Sequence, residues 1–239
     1  MLSHLSLSKI LFIDIETAPL AYQFSELDDR TQELWSLKTR WVQEREEKSP
    51  EEVYERAGIY AEFSKVICAS VGYFANVDGE RTFRIKSFCG DDEKALLTDL
   101  AELFKKFFSR NGTLLCAHNG KEFDFPFLAR RYIINGLRLP DVLDLAGKKP
   151  WEVSHLDTMD LWKFGDYKHY TSVDLLSHAL GIPSPKSDIS GADVAKVYHE
   201  DHDLERIQTY CEKDVITVAR ILARFKGSKV LEDKELVVL

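Results

Sequence analysis

The stretch Phe12-Ile13-Asp14-Ile15-Glu16-Thr17 decides the fold, and it overlaps an apolar run that begins at Ile10. Lys9–Ile15 is predicted to form a buried β-strand, because apolar side chains occupy both of its alternating faces. Successive side chains of a strand point to opposite faces, so Asp14 and Glu16 point the same way. Two carboxylates about 4 Å apart repel each other by about 4 kcal/mol at an effective dielectric constant of about 20. The pair therefore indicates either a bound divalent cation, which reverses that repulsion, or a strand end that leaves both acids in water.

The rest of the chain predicts a mixed α/β fold. Two strands, Lys65–Phe74 and Arg81–Phe88, flank the turn Asn76–Glu80 and are predicted to pair as a hairpin, and a short strand follows at Thr113–Ala117. Apolar periodicity and boundary residues predict four main helices: Asp91–Phe108, Pro126–Asn135, Thr171–Leu180 and Asp203–Phe225. Residues 137–170 are predicted to be irregular. This order favours an α/β sheet that is antiparallel over its first three strands, then parallel, and flanked by helices.

Charge is unevenly distributed along the 239-residue chain, whose formal net charge is −8. Residues 26–62 hold 11 acidic and 6 basic side chains, so this segment alone carries −5. We expect residues 21–62 to be a polar, mostly helical insertion in one domain that spans 1–239, with a helix start at Ser49-Pro50-Glu51-Glu52. An acidic chain is a poor candidate for long-range capture of duplex nucleic acid, although its near-neutral remainder leaves room for a local basic groove.

Composition excludes several classes of protein. With 44% hydrophobic and 30% charged residues, the chain is expected to bury a sizeable core, which excludes collagen-like and disordered proteins. No stretch approaches the ~20 consecutive apolar residues of a membrane-spanning helix, and the N-terminus does not resemble a signal peptide. We therefore expect a cytoplasmic protein with no membrane partner. The cysteines lack the spacing of a zinc site and are expected to be buried, reduced thiols: Cys68, Cys89, Cys116 and Cys211.

A loop between a predicted strand and a predicted helix carries a further candidate acid. The loop Ala117–Pro126 (AHNGKEFDFP) lies where α/β proteins place functional residues. Its Asp124 is either a functional acid or the N-cap of the following helix. For Asp157, further along the chain, we expect a structural role, with a supporting role beside the site as the alternative.

The last helix carries the remaining candidates. Asp214 falls within the apolar stripe of this helix, one turn after Tyr210, so the tyrosine hydroxyl can reach the same place. A charge on the core-facing side of a helix requires a partner or a metal ion. The alternative to a metal site is an ion pair with an arginine such as Arg130 or Arg131.

The three segments together resemble a known family. Their order is DxE at residues 14–16, NxxxFD at residues 119–124 and YxxxD at residues 210–214. This order resembles the tyrosine-bearing branch of the DEDD superfamily of 3′–5′ exonucleases. The resemblance is greatest to stand-alone bacterial exonucleases related to the proofreading domain of family B DNA polymerases, and it spans about residues 9–225. It implies a ribonuclease H-like fold.

The resemblance also implies a mechanism. Asp14, Glu16, Asp124 and Asp214 would hold two divalent cations, Mg²⁺ or Mn²⁺, which carboxylate ligands favour over zinc. Tyr210 would orient the attacking water, since the ordinary pKa of a tyrosine is too high for a base at neutral pH. The implied reaction releases nucleoside 5′-monophosphates from the 3′ end of single-stranded DNA, as in proofreading or DNA repair.

Four further residues are expected, by the same resemblance, to contact the substrate. Thr17 and the backbone near Ile15 would meet the terminal nucleotide, and Asn119 would position a phosphate or sugar. Phe123 either stacks on a base or packs in the core, with packing favoured. Lys186 either reaches a phosphate or is an exposed lysine.

Three other functions stay open from the sequence. An RNA-trimming exonuclease would carry the same acids, because the 2′-hydroxyl contact that distinguishes RNA has no signature here. Residues 12–17 also match the start of a haloacid-dehalogenase-type phosphatase, but that group has Asp where this chain has Glu16, and it would leave Tyr210 unexplained. A non-catalytic nucleic-acid-binding protein of the same fold would be expected to lack catalytic acids, whereas all four are present.

Overall fold

A six-stranded mixed sheet forms the centre of the computed structural model, which describes residues 2–166, 170–183 and 188–239. The strands are β1 Ile10–Pro19, β2 Ser64–Val77, β3 Glu80–Cys89, β4 Leu114–Ala117, β5 Leu156–Asp157 and β6 Leu236–Val238. They lie in the order β5-β4-β1-β2-β3-β6. β1, β2 and β3 pair antiparallel, whereas β4 runs parallel to β1, β5 to β4 and β6 to β3. The predicted α/β fold, with its antiparallel start, is confirmed.

Helices cover both faces of this sheet. They are α1 Asp29–Glu46, α2 Pro50–Val53, α3 Glu93–Phe108, α4 Asp124–Ile134, α5 Thr158–Lys163, α6 Val173–Ala179, α7 Val194–Lys196 and α8 Leu204–Phe225. A π-helical turn, Val197–Asp201, follows α7, and short 3₁₀ turns connect several other elements. Among the residues described, no helix combines the length and apolar character that crossing a bilayer requires.

The central strand β1 is buried on both faces, as its sequence predicts. Leu11, Ile13 and Ile15 pack into the apolar cluster shared with α3 and α4. Ile10 and Phe12 pack on the opposite face, in the cluster shared with α8. Because side chains alternate along a strand, the even-numbered positions that follow also face α8.

Helix α8 approaches the sheet closely at a glycine of β2. A Cβ atom on Gly72 would lie 2.4 Å from the ring of Phe83 and 3.0 Å from Val215 of α8. Any larger residue would therefore force the helix or the ring to move. The glycine thus fixes the distance between α8 and the strands beneath it.

The insertion predicted at residues 21–62 consists of helical segments around a buried tryptophan. Ser49 caps α2 and exchanges side-chain and backbone hydrogen bonds with Glu52, which confirms the predicted helix start. Trp35 of α1 is fully buried, and its Nε1 donates to the Pro50 carbonyl (2.8 Å). Its ring packs against three aromatic rings: Tyr54, Tyr60 and Phe63. The insertion therefore has an apolar cluster of its own.

The segment 137–170, of which residues 167–169 lie outside the described part of the chain, is not irregular throughout, which corrects the sequence prediction. It contains β5 and α5, together with the 3₁₀ turns Asp141–Leu143 and Pro150–Glu152. A two-residue strand and a six-residue helix are too short for apolar periodicity to identify. The short strand β6 has no predicted counterpart for the same reason.

Two of the cysteines lie opposite each other on neighbouring strands. Cys68 of β2 is the cross-strand partner of Cys89 of β3, with Cα atoms 4.1 Å apart, and a disulfide joins them. The expectation of reduced thiols is therefore wrong for this pair, because spacing along the chain does not reveal cross-strand register. Cys116 and Cys211 are free and buried, as expected.

A buried ion pair holds α4 against α3. The Arg131 guanidinium donates to both carboxylate oxygens of Glu93 and to the Ala61 carbonyl. The same carboxylate accepts the Val66 N–H of β2 (2.8 Å) and the side-chain amide of Asn135 (2.8 Å). Each buried charge is therefore compensated, and the network fixes the helix that opens with a candidate acid.

We expect Arg131→Met to lower the free energy of unfolding by about 3–5 kcal/mol, because it leaves the Glu93 carboxylate buried without its partner. Chemical denaturation followed by circular dichroism measures the change. Arg138→Met is the matched control, since Arg138 and its partner Asp141 are 90% and 94% exposed, and it should shift stability by no more than about 0.5 kcal/mol. Equal losses in the two variants would contradict the prediction.

Candidate active site

The second half of β1 carries two of the predicted acids. Asp14 and Glu16 lie within the strand, which continues to Pro19, and a β-bulge shifts its register between Glu16 and Thr17. Bulges re-aim side chains and are common beside active sites. Glu16 is only 8% exposed, so the alternative of two solvated acids at a strand end does not hold.

Asp124 is the first residue of α4 and is held against β1. The Ile15 N–H donates a hydrogen bond to Asp124 Oδ1 (3.2 Å). This backbone N–H, which was expected to meet the substrate, therefore already has a partner. The N-cap position is taken by Phe123, so Asp124 is not the helix cap. Burial raises the pKa of Asp124 to about 7, and the charges of Asp157 and Asp214 contribute to the rise. The carboxyl group is therefore a buried acid between two elements.

Helix α8 contributes Asp214 and Tyr210. Burial raises the pKa of Asp214 to about 6, and the charge of Asp174 adds to the rise, whereas a hydrogen bond from the Tyr210 hydroxyl opposes it. Burial is also the largest cause of the raised pKa of Tyr210, and the charges of Asp214, Glu16 and Asp14 raise this pKa further. The tyrosine therefore keeps its proton at neutral pH and acts as a hydrogen-bond donor.

Among the described residues, no lysine or arginine forms an ion pair with any of the four acids. Arg131 is paired with Glu93 instead, and Arg130 lies exposed on α4. The alternative explanation for Asp214, an ion pair with one of these arginines, is therefore wrong.

The charges of three separate segments meet at Asp14. Burial and then the charges of Glu16, Asp214 and Asp124 raise the pKa of Asp14 well above its ordinary value. Burial and the charges of Asp214 and Asp124 likewise raise the pKa of Glu16. The Oδ2 atom of Asp14 is buried and has no hydrogen-bond partner within the described part of the chain. Electrostatic interactions therefore link all four acids, and among the described residues no basic side chain is paired with them.

The donor atoms of this cluster fit a hard divalent cation. Ligand atoms of Asp14, Glu16 and Cys211 lie within 4.8 Å of one another. The Cys211 thiol donates a hydrogen bond to the Asp14 carbonyl (3.3 Å). Burial and, to a smaller extent, the charges of Asp14 and Glu16 raise the pKa of this thiol, so it stays protonated. The available ligands are thus carboxylate oxygens, which suit Mg²⁺ or Mn²⁺ rather than zinc, and the unpartnered Oδ2 of Asp14 offers one of them.

The loop between β4 and α4 is held by Asp157. The Asp157 carboxylate accepts the N–H groups of Asn119 (2.9 Å) and Lys121 (3.1 Å), and it also caps α5 through Met159 and Asp160. Asn119 adopts a left-handed conformation (φ 63°), and its Oδ1 is buried without a partner among the described residues. Asp157 therefore has the expected structural role, and it shapes the loop that leads to Asp124.

The other residues expected at the substrate have contacts of their own. The Thr17 hydroxyl donates to the Gly58 carbonyl (2.7 Å), which ties β1 to the insertion. Phe123 is half-buried in the cluster between the sheet and α3–α4, with its ring 5.3 Å from Phe127. Lys186 lies outside the described residues. Contact of these side chains with substrate stays a prediction.

Sequence reasoning overlooked Tyr170, which lies close to the acids. Burial raises the pKa of its hydroxyl, and the charges of Asp124, Asp157, Asp214 and Asp14 contribute in that order. The residue belongs to the segment predicted to be irregular and to no motif. An aromatic side chain just before a helix start was the available signal, and it is too common to identify a site.

The fold places the chain in a known structural class. It is similar to a family B DNA polymerase from the hyperthermophilic archaeon Pyrobaculum calidifontis, with a TM-score of 0.56 and 15% sequence identity. The likeness covers 90% of this chain and 24% of the polymerase chain, so this chain spans about a quarter of that protein. At this identity the comparison establishes the fold alone, a mixed α/β sheet consistent with the ribonuclease H-like fold of a polymerase exonuclease domain.

The family is established by sequence. Residues 59–232, well over half of the chain, match the family described as predicted 3′–5′ exonucleases related to the exonuclease domain of PolB, and the chain belongs to this family. No curated protein matches the chain significantly. The matched range includes Asp124, Tyr210 and Asp214 but begins after β1, so it is the pairing of β1 with β2 and β4 that adds Asp14 and Glu16.

We expect the metal-free protein to lose stability as the pH rises from about 5 to 8. In the folded protein the carboxyl groups of Asp214 and Asp124 have pKa values of about 6 and about 7, above those of the unfolded chain. Their contribution to stability is therefore complete at a pH below the unfolded-state pKa values, and it is lost as the pH rises through the folded-state pKa values. Thermal melts in EDTA measure the loss, and saturating Mn²⁺ should restore Tm, more at pH 8 than at pH 6.

Asp214→Asn is the test variant for this prediction. Removing one charge of the cluster should raise Tm in EDTA at pH 8 by roughly 4–8 °C, which corresponds to about 2 kcal/mol, and should weaken the rise caused by Mn²⁺. A variant that kept the wild-type pH dependence and the full response to Mn²⁺ would contradict the prediction.

Proposed function

We propose that the protein is a metal-dependent 3′–5′ exonuclease of the tyrosine-bearing DEDD branch. It removes nucleoside 5′-monophosphates from the 3′ end of single-stranded DNA. The observation that carries the proposal is the cluster of Asp14, Glu16, Asp124 and Asp214, in which Glu16 and Asp124 are buried, Asp14 and Asp214 are half-buried, and none is paired with a basic side chain of the described residues. Membership in a family of predicted 3′–5′ exonucleases supports this reaction, and the fold of a DNA polymerase supports DNA as the substrate.

In this proposal the four carboxylates hold two divalent cations, Mg²⁺ or Mn²⁺. The cations, when bound, supply Lewis-acid activation of water and neutralise charge on the scissile phosphate. Tyr210 donates its hydroxyl hydrogen bond toward Asp214 in the absence of substrate, and orients the attacking water in its presence. Its raised pKa makes it a donor rather than a base.

Single-stranded ends suit the depth of this site. Glu16 and Asp124 are 8% and 3% exposed, so a phosphate reaches them only if the strand end is free to bend inward. Asn119 has a buried carbonyl oxygen without a partner in the described structure, which supports its predicted contact with the substrate. Thr17, Phe123 and Lys186 are proposed to complete the contacts by resemblance to the family.

We further propose that residues 1–239 act as one exonuclease domain and that residues 21–62 are an insertion in it. The sheet supports this proposal, because its strands come from both ends of the chain, from β1 to β6. A cytoplasmic site of action stays a prediction from the sequence.

Asp14→Ala should abolish degradation of a 5′-labelled single-stranded DNA oligonucleotide, with at least a 10³-fold loss of rate, because the central ligand of the cluster is removed. Gel separation of the products should show the wild type shortening the labelled strand one nucleotide at a time when Mg²⁺ or Mn²⁺ is present.

The matched control is Asp141→Asn, which changes an exposed acid and should leave the rate unchanged. A matched RNA strand tests the alternative substrate, and p-nitrophenyl phosphate tests the phosphatase alternative. Undiminished degradation by Asp14→Ala would refute the assigned site, and faster turnover of RNA would reassign the substrate.

Tyr210→Phe should lower kcat by about 10- to 100-fold and leave the Mn²⁺-induced rise in Tm within about 2 °C of the wild type. The variant removes the hydroxyl while keeping the ring and all four carboxylates. Equal losses of turnover and metal response would instead place the tyrosine hydroxyl in the metal site.

A further inference from the structure

The backbone beside Tyr170 is anchored to the loop that carries the candidate acids. The buried His118 ring bridges two segments: its Nε2–H donates to the Thr171 carbonyl (2.7 Å), and its Nδ1 accepts the Thr158 hydroxyl (2.8 Å). Burial lowers the pKa of His118, which favours the neutral ring that this pairing needs. His118 directly precedes Asn119, so the position of Tyr170 is coupled to the β4–α4 loop.

The side chain of Tyr170 is an exposed aromatic ring that stacks on no other ring of the described residues. It is 66% exposed and forms no hydrogen bond or ring contact with the described residues. The other exposed aromatic side chains in the described ranges each contact another ring or lie beneath a cation: Trp41, Trp151, Trp162 and Phe164. Tyr170 thus leaves an aromatic surface open to solvent.

This open ring lies beside the acidic cluster. Its chain neighbour Thr171 is hydrogen-bonded to His118 of the β4–α4 loop (2.7 Å). Burial, followed by the charges of Asp124, Asp157, Asp214 and Asp14, also raises the pKa of the Tyr170 hydroxyl. Phe123, the aromatic that the sequence offered for stacking, is half-buried with its ring 5.3 Å from Phe127, so it is less open to solvent than Tyr170. Tyr170 is therefore the aromatic side chain best placed to meet a strand whose phosphate enters the cluster.

We propose that the ring of Tyr170 is a nucleobase-binding site, on which an unpaired base at the 3′ end of the strand stacks. This inference rests on the proposed exonuclease function and names a determinant of its specificity. Stacking on an aromatic ring is tolerant of sequence, because every base has a π-face. A paired base at a duplex end is already stacked on its neighbour and gains less, so the ring favours single-stranded ends.

The experiment compares Tyr170→Ala with the wild type on two 5′-fluorescein dT12 strands, one of which ends in an abasic 3′ residue. On the intact strand the variant should raise KM by roughly 5- to 100-fold, with kcat changed less than about threefold. For the wild type, KM should be higher on the abasic strand than on the intact strand by a similar factor. For Tyr170→Ala, KM should be the same on the two strands. Tyr170→Phe, which keeps the ring, should restore most of the discrimination.

Phe164→Ala is the matched control, because it removes another exposed ring, 84% exposed, from the same segment. It should retain wild-type kinetics on both strands. Anisotropy of the same strands bound to proteins that also carry Asp14→Ala gives a second readout that does not depend on turnover.

The outcomes separate this inference from the proposed function. If the wild type neither binds nor degrades the strands, the proposed function fails and the inference fails with it. If the wild type degrades them but Tyr170→Ala still distinguishes the intact from the abasic end, the exonuclease function stands and the nucleobase site is refuted.

Discussion

Mutual repulsion among buried carboxylates is the constraint on which the rest of this structure depends. Asp14, Glu16, Asp124 and Asp214 each have a raised pKa, with burial as the largest cause and the charges of the other acids or of nearby aspartates behind it. A fold optimised for stability alone would separate such groups or pair them with arginine. A bound cation would offset this repulsion, which is why we propose that the cluster binds metal at the expense of the stability of the metal-free fold.

The acids stay close because bonds outside the cluster fix the elements that carry them. The Arg131–Glu93 ion pair holds α4 against α3. The Asp157 carboxylate accepts hydrogen bonds from backbone N–H groups of the β4–α4 loop and of α5. The Thr17 hydroxyl ties the end of β1 to Gly58 in the insertion. These contacts oppose the repulsion between like charges, and several of the partners lie outside the three motifs: Glu93, Arg131, Asp157 and Gly58.

The sequence predicted the helices and strands that are long enough to show a repeating pattern of apolar residues. β1, the β2–β3 hairpin, α3 and α8 follow from apolar patterns of several residues, and α2 follows from the Ser49 cap. The same reasoning missed β5, α5 and β6, which are too short to show a period, and it missed the pairing of Cys68 with Cys89, which depends on register. Tyr170 was missed because its importance lies in what surrounds it, and no spacing in the chain encodes those neighbours.

The sequence by itself determined which side chains carry charge and on which face of a strand or helix each lies, because those properties follow from local periodicity. It therefore determined the candidates Asp14, Glu16, Asp124, Tyr210 and Asp214. Only the tertiary structure decided that Arg131 pairs with Glu93 rather than with Asp214, and that Asp14 Oδ2 is buried without a hydrogen-bond partner in the described part of the chain. These outcomes depend on the packing of α4 and α8 against opposite faces of one sheet. Packing between elements that are far apart in the chain depends on contacts from many segments, so it cannot be deduced from any one segment of the sequence.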